Sequence, residues 1–265
     1  MPRISSHDNP RLKEALRLLA SSRERRKLGR CVLEGAHLIG VYLAQHGAPE
    51  SLIVADKAVA TPEINALTAA MPPARVATID ALAWTELTQL PVDVGVLAVV
   101  PAPRPEFRQA ANFCLLLEDI QDPGNVGSIL RSAAAAGVAQ VFLSKGCAFA
   151  WSPKVLRAGQ GGHFHLEIFE DVDLVAWARD FRGTLVATVA HDGESLFEAS
   201  LAAPIAVAIG NEGAGLSAAI RSAATCRVSI PMPGGFESLN AAAAAAICLF
   251  ECTRQGVRAT GKRVP

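Results

Sequence analysis

No apolar run in this 265-residue sequence approaches the roughly 20 residues needed to cross a bilayer; runs such as Phe113–Leu117 and Ile205–Ile209 fall far short. The N-terminus has charged and polar residues where a secretory signal needs an apolar core, so a cytoplasmic protein is expected. Paired cysteine motifs are missing too: Cys31, Cys114, Cys147, Cys226, Cys248 and Cys252 lie singly in apolar segments, as buried thiols in a reducing compartment do. Cys248 and Cys252 share a helix face, but no histidine or carboxylate at a ligand spacing completes a site, and no metal is expected. Net charge is zero, with 25 Lys and Arg against 25 Asp and Glu, so no whole-molecule field steers the protein to a polyanion. The Gly-x-Gly-x-x-Gly fingerprint is absent, which argues against a nicotinamide-dependent oxidoreductase, the reading that an α/β pattern with glycine turns would otherwise suggest.

What is present is a hydrophobic chain, 51% apolar, long enough for two domains with well-buried cores. Its charge is uneven. Residues 1–30 hold nine Lys or Arg against Asp8, Glu14 and Glu24, which leaves the remainder net negative by six. Residues 9–28, with Leu12, Leu16 and Leu19 at helical spacing, read as one amphipathic helix with a basic polar side. Such a side is either a solvated face or a contact to RNA phosphates, and Arg23, Arg25, Arg26, Lys27 and Arg30 would carry the contact.

Short strands then alternate with helical patterns up to Val100, a small α/β domain over residues 1–103. Pro101-Ala-Pro-Arg-Pro105 is a stiff connector, after which a second domain, residues 107–265, restarts the alternation more strongly. Its strands fall near residues 113–120, 141–144, 185–190, 205–210 and 227–232. Continuous apolar strands interleaved with helices imply a parallel sheet covered on both faces, and ligands of such sheets sit beyond the carboxyl ends of the strands.

Three of those ends carry unusual residues. After the first strand, Asp122-Pro-Gly-Asn125-Val-Gly127 leads into a helix that Asn125 is placed to cap, with Arg131 a fixed cation among alanines and leucines. After the strand ending at Ile209, Gly210-Asn-Glu-Gly-Ala-Gly-Leu brackets Asn211 and Glu212 with glycines, which admit a ligand close to the backbone. The last stretch, Ile230-Pro-Met232-Pro-Gly-Gly-Phe-Glu-Ser238-Leu239-Asn240, opens an alanine-rich helix that Ser238 or Asn240 can cap and that has little bulk to keep it from a neighbour.

Together, Asn125-x-Gly-x-x-x-Arg131, Gly210-Asn-Glu-Gly-x-Gly-Leu and Ile230-Pro-Met with Ser238-Leu-Asn240 resemble the three motifs of the SpoU/TrmH branch of the SPOUT RNA methyltransferases. Asn9-Pro-Arg-Leu-Lys and Val32-Leu-Glu-Gly likewise look like that family's N-terminal RNA substrate-binding domain. The resemblance implies a trefoil-knotted C-terminal domain, a homodimer, and transfer of a methyl group from S-adenosylmethionine to a ribose 2′-hydroxyl of rRNA or tRNA. It places the cofactor against Gly210, Asn211, Ile230, Met232 and Leu239, and makes Arg131, Asn125, Glu212, Ser238 and Asn240 the active-site set, with Glu212 and Asn125 orienting Arg131 and the ribose. Arg157 joins the RNA-binding residues. A non-catalytic RNA-binding or ribosome-assembly protein that kept the fold is the alternative.

Where many relatives have Arg-Ala-Ser-x-Gly, this chain has Arg157-Ala-Gly159-Gln-Gly161, without the hydroxyl and with a loop expected to be more mobile. His163 and His165 alternate on an expected strand with no third ligand nearby, Glu34 is read as a turn anchor, and one Tyr with three Trp leaves no stacking platform for unpaired bases.

Overall fold

The computed structural model describes residues 2–4, 8–88 and 94–257; residues 258–265, counted above in the second domain, lie outside them. The strands are β1 (Arg3–Ile4), β2 (Arg30–Glu34), β3 (Ser51–Ala55), β4 (Val76–Ile79), β5 (Val96–Pro101), β6 (Phe113–Leu117), β7 (Gln140–Leu143), β8 (Glu167–Phe169), β9 (Thr184–Thr188), β10 (Glu194–Ser195), β11 (Ile205–Ile209) and β12 (Cys226–Ser229). The helices are α1 (Pro10–Ala20), α2 (Ser22–Leu28), α3 (Ala36–His46), α4 (Pro62–Ala69), α5 (Ala81–Leu87), α6 (Pro123–Ala136), α7 (Pro153–Gly159), α8 (Leu174–Asp180), α9 (Ala218–Ala223) and α10 (Ala241–Arg254).

The chain forms two compact units, Met1–Pro103 with Trp151–Phe164, and Arg104–Ala150 with His165–Pro265. In the first, the sheet order is β1-β4-β3-β5-β2, with β5 antiparallel to both of its neighbours. The expected single helix over residues 9–28 is two. Asn9 caps α1 by accepting from the Arg11 amide at 3.0 Å, and α1 buries Leu12, Ala15 and Leu18. Ser21 then turns extended and caps α2 by accepting from the Glu24 amide at 3.3 Å. A serine hydroxyl competes for backbone groups, which makes it a natural break between two helices whose leucines keep helical spacing.

The segment Trp151–Phe164 contributes α7, which starts at the Ser152 cap and buries Val155, Leu156 and Gly159. Gly159, expected in a mobile loop, is thus the buried last residue of a helix. Gly161 has φ +91°, and a Cβ there would lie 2.9 Å from a methyl of Val41, so both conformation and space call for glycine. His163 and His165 are not on a strand: Gly162–His165 is a 3-10 turn, with His163 buried beside the Trp151 ring.

The second unit holds a seven-stranded sheet in the order β10-β12-β9-β11-β6-β7-β8, every recorded pair parallel. β8 and β10, three and two residues long, are too short to show an apolar period and add to the five strands expected. The central strands β6 and β11 are buried along their length, as double coverage by helices requires. α6 and α10 pack side by side: the Thr253 hydroxyl donates to the Ala136 carbonyl at 2.9 Å at their far ends. Gly127 and Ala133 of α6 and Ala241 and Ala245 of α10 are buried, so small side chains lie along the packed faces and permit close approach.

Candidate active site

Parallel pairing carries the ends of β6, β9, β11 and β12 to one side of the second sheet. A cleft of about 330 Å³ opens there. Its walls are Thr188 to His191 after β9, Ile209 to Gly213 with Gly215 after β11, and Ile230, Met232 and 237–239 after β12, with Ala241 and Ala244 of α10 completing it. Every residue assigned to the cofactor above, Gly210, Asn211, Ile230, Met232 and Leu239, lines this cleft, as do Glu212 and Ser238.

The turn after β11 is built by two residues. Gly210 has the Gly215 carbonyl carbon and the Leu216 nitrogen 2.2 Å from where a Cβ would stand, so only glycine lets the chain fold back on itself. The Asn211 amide donates to the Gly215 carbonyl at 3.1 Å, and the Asn211 carbonyl accepts from the Gly215 amide at 2.9 Å. The Asn211 side chain is turned into the loop as well: Oδ1 accepts from the Gly213 and Ala214 amides, both at 2.9 Å, and Nδ2 donates to the Asp119 carbonyl at 2.8 Å. Asp119 stands at φ +57° and accepts from the Ser144 hydroxyl at 2.5 Å, and the neighbouring Glu118 accepts from the Ser217 amide at 2.7 Å. These two acids brace the loops and were not singled out in the sequence; their position at the end of β6 is the signal that was there to read.

Glu212 gathers the three separate stretches. Its Oε1 accepts from the Asp122 amide at 3.1 Å and from Asn125 Nδ2 at 3.0 Å, and its Oε2 from the Gln121 amide at 3.2 Å and Asn211 Nδ2 at 3.5 Å. Partial burial works against the charge, but the hydrogen bonds from Asn125 and from the Asp122 and Gln121 amides outweigh it and hold Glu212 below the usual carboxylate range. Asn125 Oδ1 in turn accepts from Asn240 Nδ2 at 2.9 Å. Asn240 caps α10, its Oδ1 accepting from the Ala242 and Ala243 amides at 2.9 and 3.3 Å. The cap of α6 is Asp122, whose Oδ1 accepts from the Asn125 amide at 2.8 Å. Asn125 therefore lies inside the helix, its side chain freed to link Glu212 with Asn240, a correction to its expected capping role.

Arg131 is exposed on α6 and makes no hydrogen bond or ion pair with a described residue. Glu212 and Asn125 bond to each other instead of orienting it, contrary to expectation. Ser238 is exposed at the cleft rim, likewise without a partner among the described residues.

The basic residues of the first unit divide. Arg25 is 6% exposed, its guanidinium turned onto the Leu18 and Leu19 carbonyls, so it presents no charge to solvent. Arg30 is held by Glu14 and Glu50, each at 2.7 Å. Arg157 pairs with the buried carboxylate of Glu34, which also accepts from the Thr88 hydroxyl at 2.8 Å; Glu34 thus ties β2 to α7 and to the end of α5 and does more than anchor a turn. Arg26 is half-buried, and Arg23 and Lys27 are exposed. Among the described residues no group of three His, Cys, Asp or Glu is placed to hold a metal ion, and no helix is long and apolar enough to cross a membrane.

The model of the SpoU rRNA Methylase family matches residues 112–250, the span that contains the cleft and its rim. An uncharacterized tRNA/rRNA methyltransferase of Synechocystis sp. is 34% identical over 95% of this chain and 93% of its own length. The 23S rRNA (guanosine(2553)-2′-O)-methyltransferase of Bacillus subtilis is 30% identical over 94% of this chain and 98% of its own. Among solved structures, an RNA 2′-O ribose methyltransferase superposes with a TM-score of 0.80 at 32% identity, covering 96% of this chain and 98% of that one. The SpoU methyltransferase AviRb of Streptomyces viridochromogenes, in complex with AdoMet, gives a TM-score of 0.80 at 28% identity over 93% and 98%. The chain belongs to the SpoU rRNA methylase family and is an S-adenosylmethionine-dependent RNA 2′-O-methyltransferase.

Proposed function

We propose that this enzyme methylates a ribose 2′-hydroxyl of ribosomal RNA, with the cofactor in the cleft beyond β9, β11 and β12 and the acceptor ribose at the rim where Asn125, Glu212 and Asn240 meet. The observation that carries the site is that hydrogen-bonded chain, which joins three stretches far apart in sequence beside one cleft. The cleft suits an adenosyl group: Ile230, Leu239, Ala241 and Ala244 supply apolar wall, while Glu212 and Ser238 supply a few placed polar atoms. When bound, S-adenosylmethionine supplies an electrophilic sulfonium methyl.

The rest of the task is alignment and charge stabilisation. Glu212 is a positioning residue. A carboxylate has about four acceptor sites, and Glu212 already accepts four hydrogen bonds, which also keep it ionised and a weak base. Asn125 and Asn240 fix the rim, and Ser238 offers its hydroxyl to the ligand. Arg131, without a partner among the described residues, presents a guanidinium suited to hold a phosphate and the negative charge that develops on the 2′-oxygen as it attacks. The hydroxyl proton passes to water as the 2′-oxygen attacks.

The first unit is assigned to RNA binding, through Arg23 and Lys27 and the solvent side of Arg26. The enzyme works as a homodimer in the cytoplasm, its second unit knotted as in relatives of this family. The test is incubation with tritiated S-adenosylmethionine and, separately, 23S rRNA, 16S rRNA and tRNA from a strain lacking the gene, with Arg131→Ala as control. Label in one rRNA that maps to a 2′-O-methyl and disappears with Arg131→Ala is expected. Label confined to tRNA would overturn the substrate, and full activity of Arg131→Ala would overturn its role.

A further inference from the structure

The first unit has a cavity of its own, of about 390 Å³, and every residue that lines it belongs to that unit. On its wall stand Glu34 at the end of β2 and Arg157 of α7, the ion pair that ties those elements together. The Glu34 side chain is only 2% exposed, and each of its oxygens has one recorded donor: the Thr88 hydroxyl on Oε1 and the Arg157 guanidinium on Oε2. A carboxylate has about four acceptor sites, and a guanidinium has several N–H donors. Both groups therefore keep directional hydrogen-bonding capacity after they have neutralised each other. Gln160, also on the wall, donates from its amide nitrogen to the Arg157 carbonyl at 2.7 Å, which leaves its Oε1 as an acceptor. The side chains of Glu63 and His37 line the cavity, are exposed, and have no recorded partner among the described residues. Leu38 and Ile64, both buried, supply apolar wall.

With Glu34 and Arg157 paired, the Glu63 carboxylate is left uncompensated on the wall, so the cavity repels a phosphate. What it offers is acceptors and donors side by side with apolar surface, which suits a neutral, planar heterocycle. In a protein that methylates RNA, such a ligand is an unpaired base, read by hydrogen bonds to its edge and by stacking on groups such as histidine. Carboxylates next to a guanidinium also discriminate between bases. Guanine presents adjacent donors, N1–H and its N2 amino group, beside the O6 acceptor; adenine and cytosine present an amino group beside a ring acceptor, and uracil an N–H between carbonyls. We propose that this cavity takes one unpaired guanine of the RNA, its N1–H and amino group on the acidic side chains, its O6 on Arg157 and its ring against His37. The proposal rests on the assignment of RNA binding to the first unit, and it adds a base-reading contact to the phosphate contacts of Arg23 and Lys27.

Fluorescence anisotropy tests this with the full chain and fluorescein-labelled oligouridylate that carries a central uridine, adenosine or guanosine. The guanosine oligomer is expected to bind about tenfold more tightly than the other two. Glu63→Ala combined with His37→Ala, which removes two exposed side chains, should abolish that preference and leave the melting temperature and the binding of the uridine oligomer unchanged. Arg23→Ala combined with Lys27→Ala should weaken all three oligomers alike and keep the preference. No preference in the unaltered enzyme, or one that survives the cavity variant, would overturn the guanine site, and a cavity-dependent preference for adenosine would overturn guanine as its base. If the cavity variant changes nothing while the Arg23 and Lys27 variant weakens binding, the first unit binds RNA without this site. If neither variant matters, the assignment of RNA binding to the first unit falls together with the site.

Discussion

Arg25, Arg30 and Arg157 of the first unit turn onto carbonyls or carboxylates of their own fold, and the charge that makes the N-terminal segment look basic is largely consumed there. In the second unit Asn125, Glu212 and Asn240 also bond in a chain, yet they do so at the rim of a cleft and leave Ser238 at that rim without a partner among the described residues; Arg131, exposed on α6, has none there either. Both regions satisfy their polar groups internally. What separates them, among the described residues, is what remains: of the five basic residues from Arg23 to Arg30 only Arg23 and Lys27 stand exposed without a recorded partner, and the first unit's own cavity, of about 390 Å³, is lined by Glu34 and Arg157 already paired with each other, whereas the second has a cleft at its strand ends with the unpaired Ser238 hydroxyl at the rim. A count of charges says how much a segment has to spend, and only the fold says whether anything is left for a ligand.

The sharpest break of this contrast is Gly210→Ala. The added methyl would meet the Gly215 and Leu216 backbone at 2.2 Å, so the turn must open, and calorimetry should find cofactor affinity lost by about a hundredfold or more. Gly234→Ala, with nothing within 4 Å of its Cβ, should bind as the unaltered enzyme does. Next comes Arg131. Because it is exposed and unbonded, Arg131→Ala should lower turnover by about a hundredfold with no change in melting temperature. Arg131→Lys should recover little of that turnover, and near-full activity there would show the planar fork to be unnecessary.

In the first unit the expected effects fall on stability. Arg157→Ala leaves the Glu34 carboxylate buried with only Thr88 as its recorded side-chain donor and should cost about 1–3 kcal/mol in denaturant unfolding, with cofactor affinity unchanged. An altered affinity would mean that α7 is coupled to the cleft.

Two finer measurements follow. Glu212 titrates below its ordinary value in the folded enzyme, so its ionised form is preferentially stabilised by folding. The melting-temperature advantage of the native enzyme over Glu212→Gln should be complete above the ordinary carboxylate pKa and shrink as pH falls through the folded one. A constant difference across that range would remove the hydrogen bonds as its source. The smallest effects belong to Arg23→Ala and Lys27→Ala, each expected to lower RNA affinity slightly and to reduce the slope of binding against log salt by about one. Arg30→Ala should act on stability more than on that slope.

The architecture of the second unit was readable because long apolar strands and glycine-rich turns have strong local signatures, and the three strand ends that carry the site were visible for the same reason. The breaks were local or non-local in equal measure. Ser21 splits a helix whose leucine spacing runs straight through it, and Asp122 takes a cap for which Asn125 was equally suited by residue type. The fate of Arg25 and Arg30 depends on carbonyls and on Glu14 and Glu50, partners brought by folding, which a charge count cannot supply. Nor does alternation of strands and helices reveal that Trp151–Phe164 belongs to the first unit, since a helix reads the same whichever core it joins.

The bond between Asn240 and Asn125 spans 115 positions of the chain. During synthesis at about 5–20 residues per second, Asn125 therefore waits roughly 6 to 23 s for its partner to be made. Through that interval the turn that starts α6 is present without Asn240, without α10 at its side and, for most of the time, without Glu212. The rim of the cleft is thus among the last parts of the second unit to be completed, when the helix that Asn240 caps lies against α6.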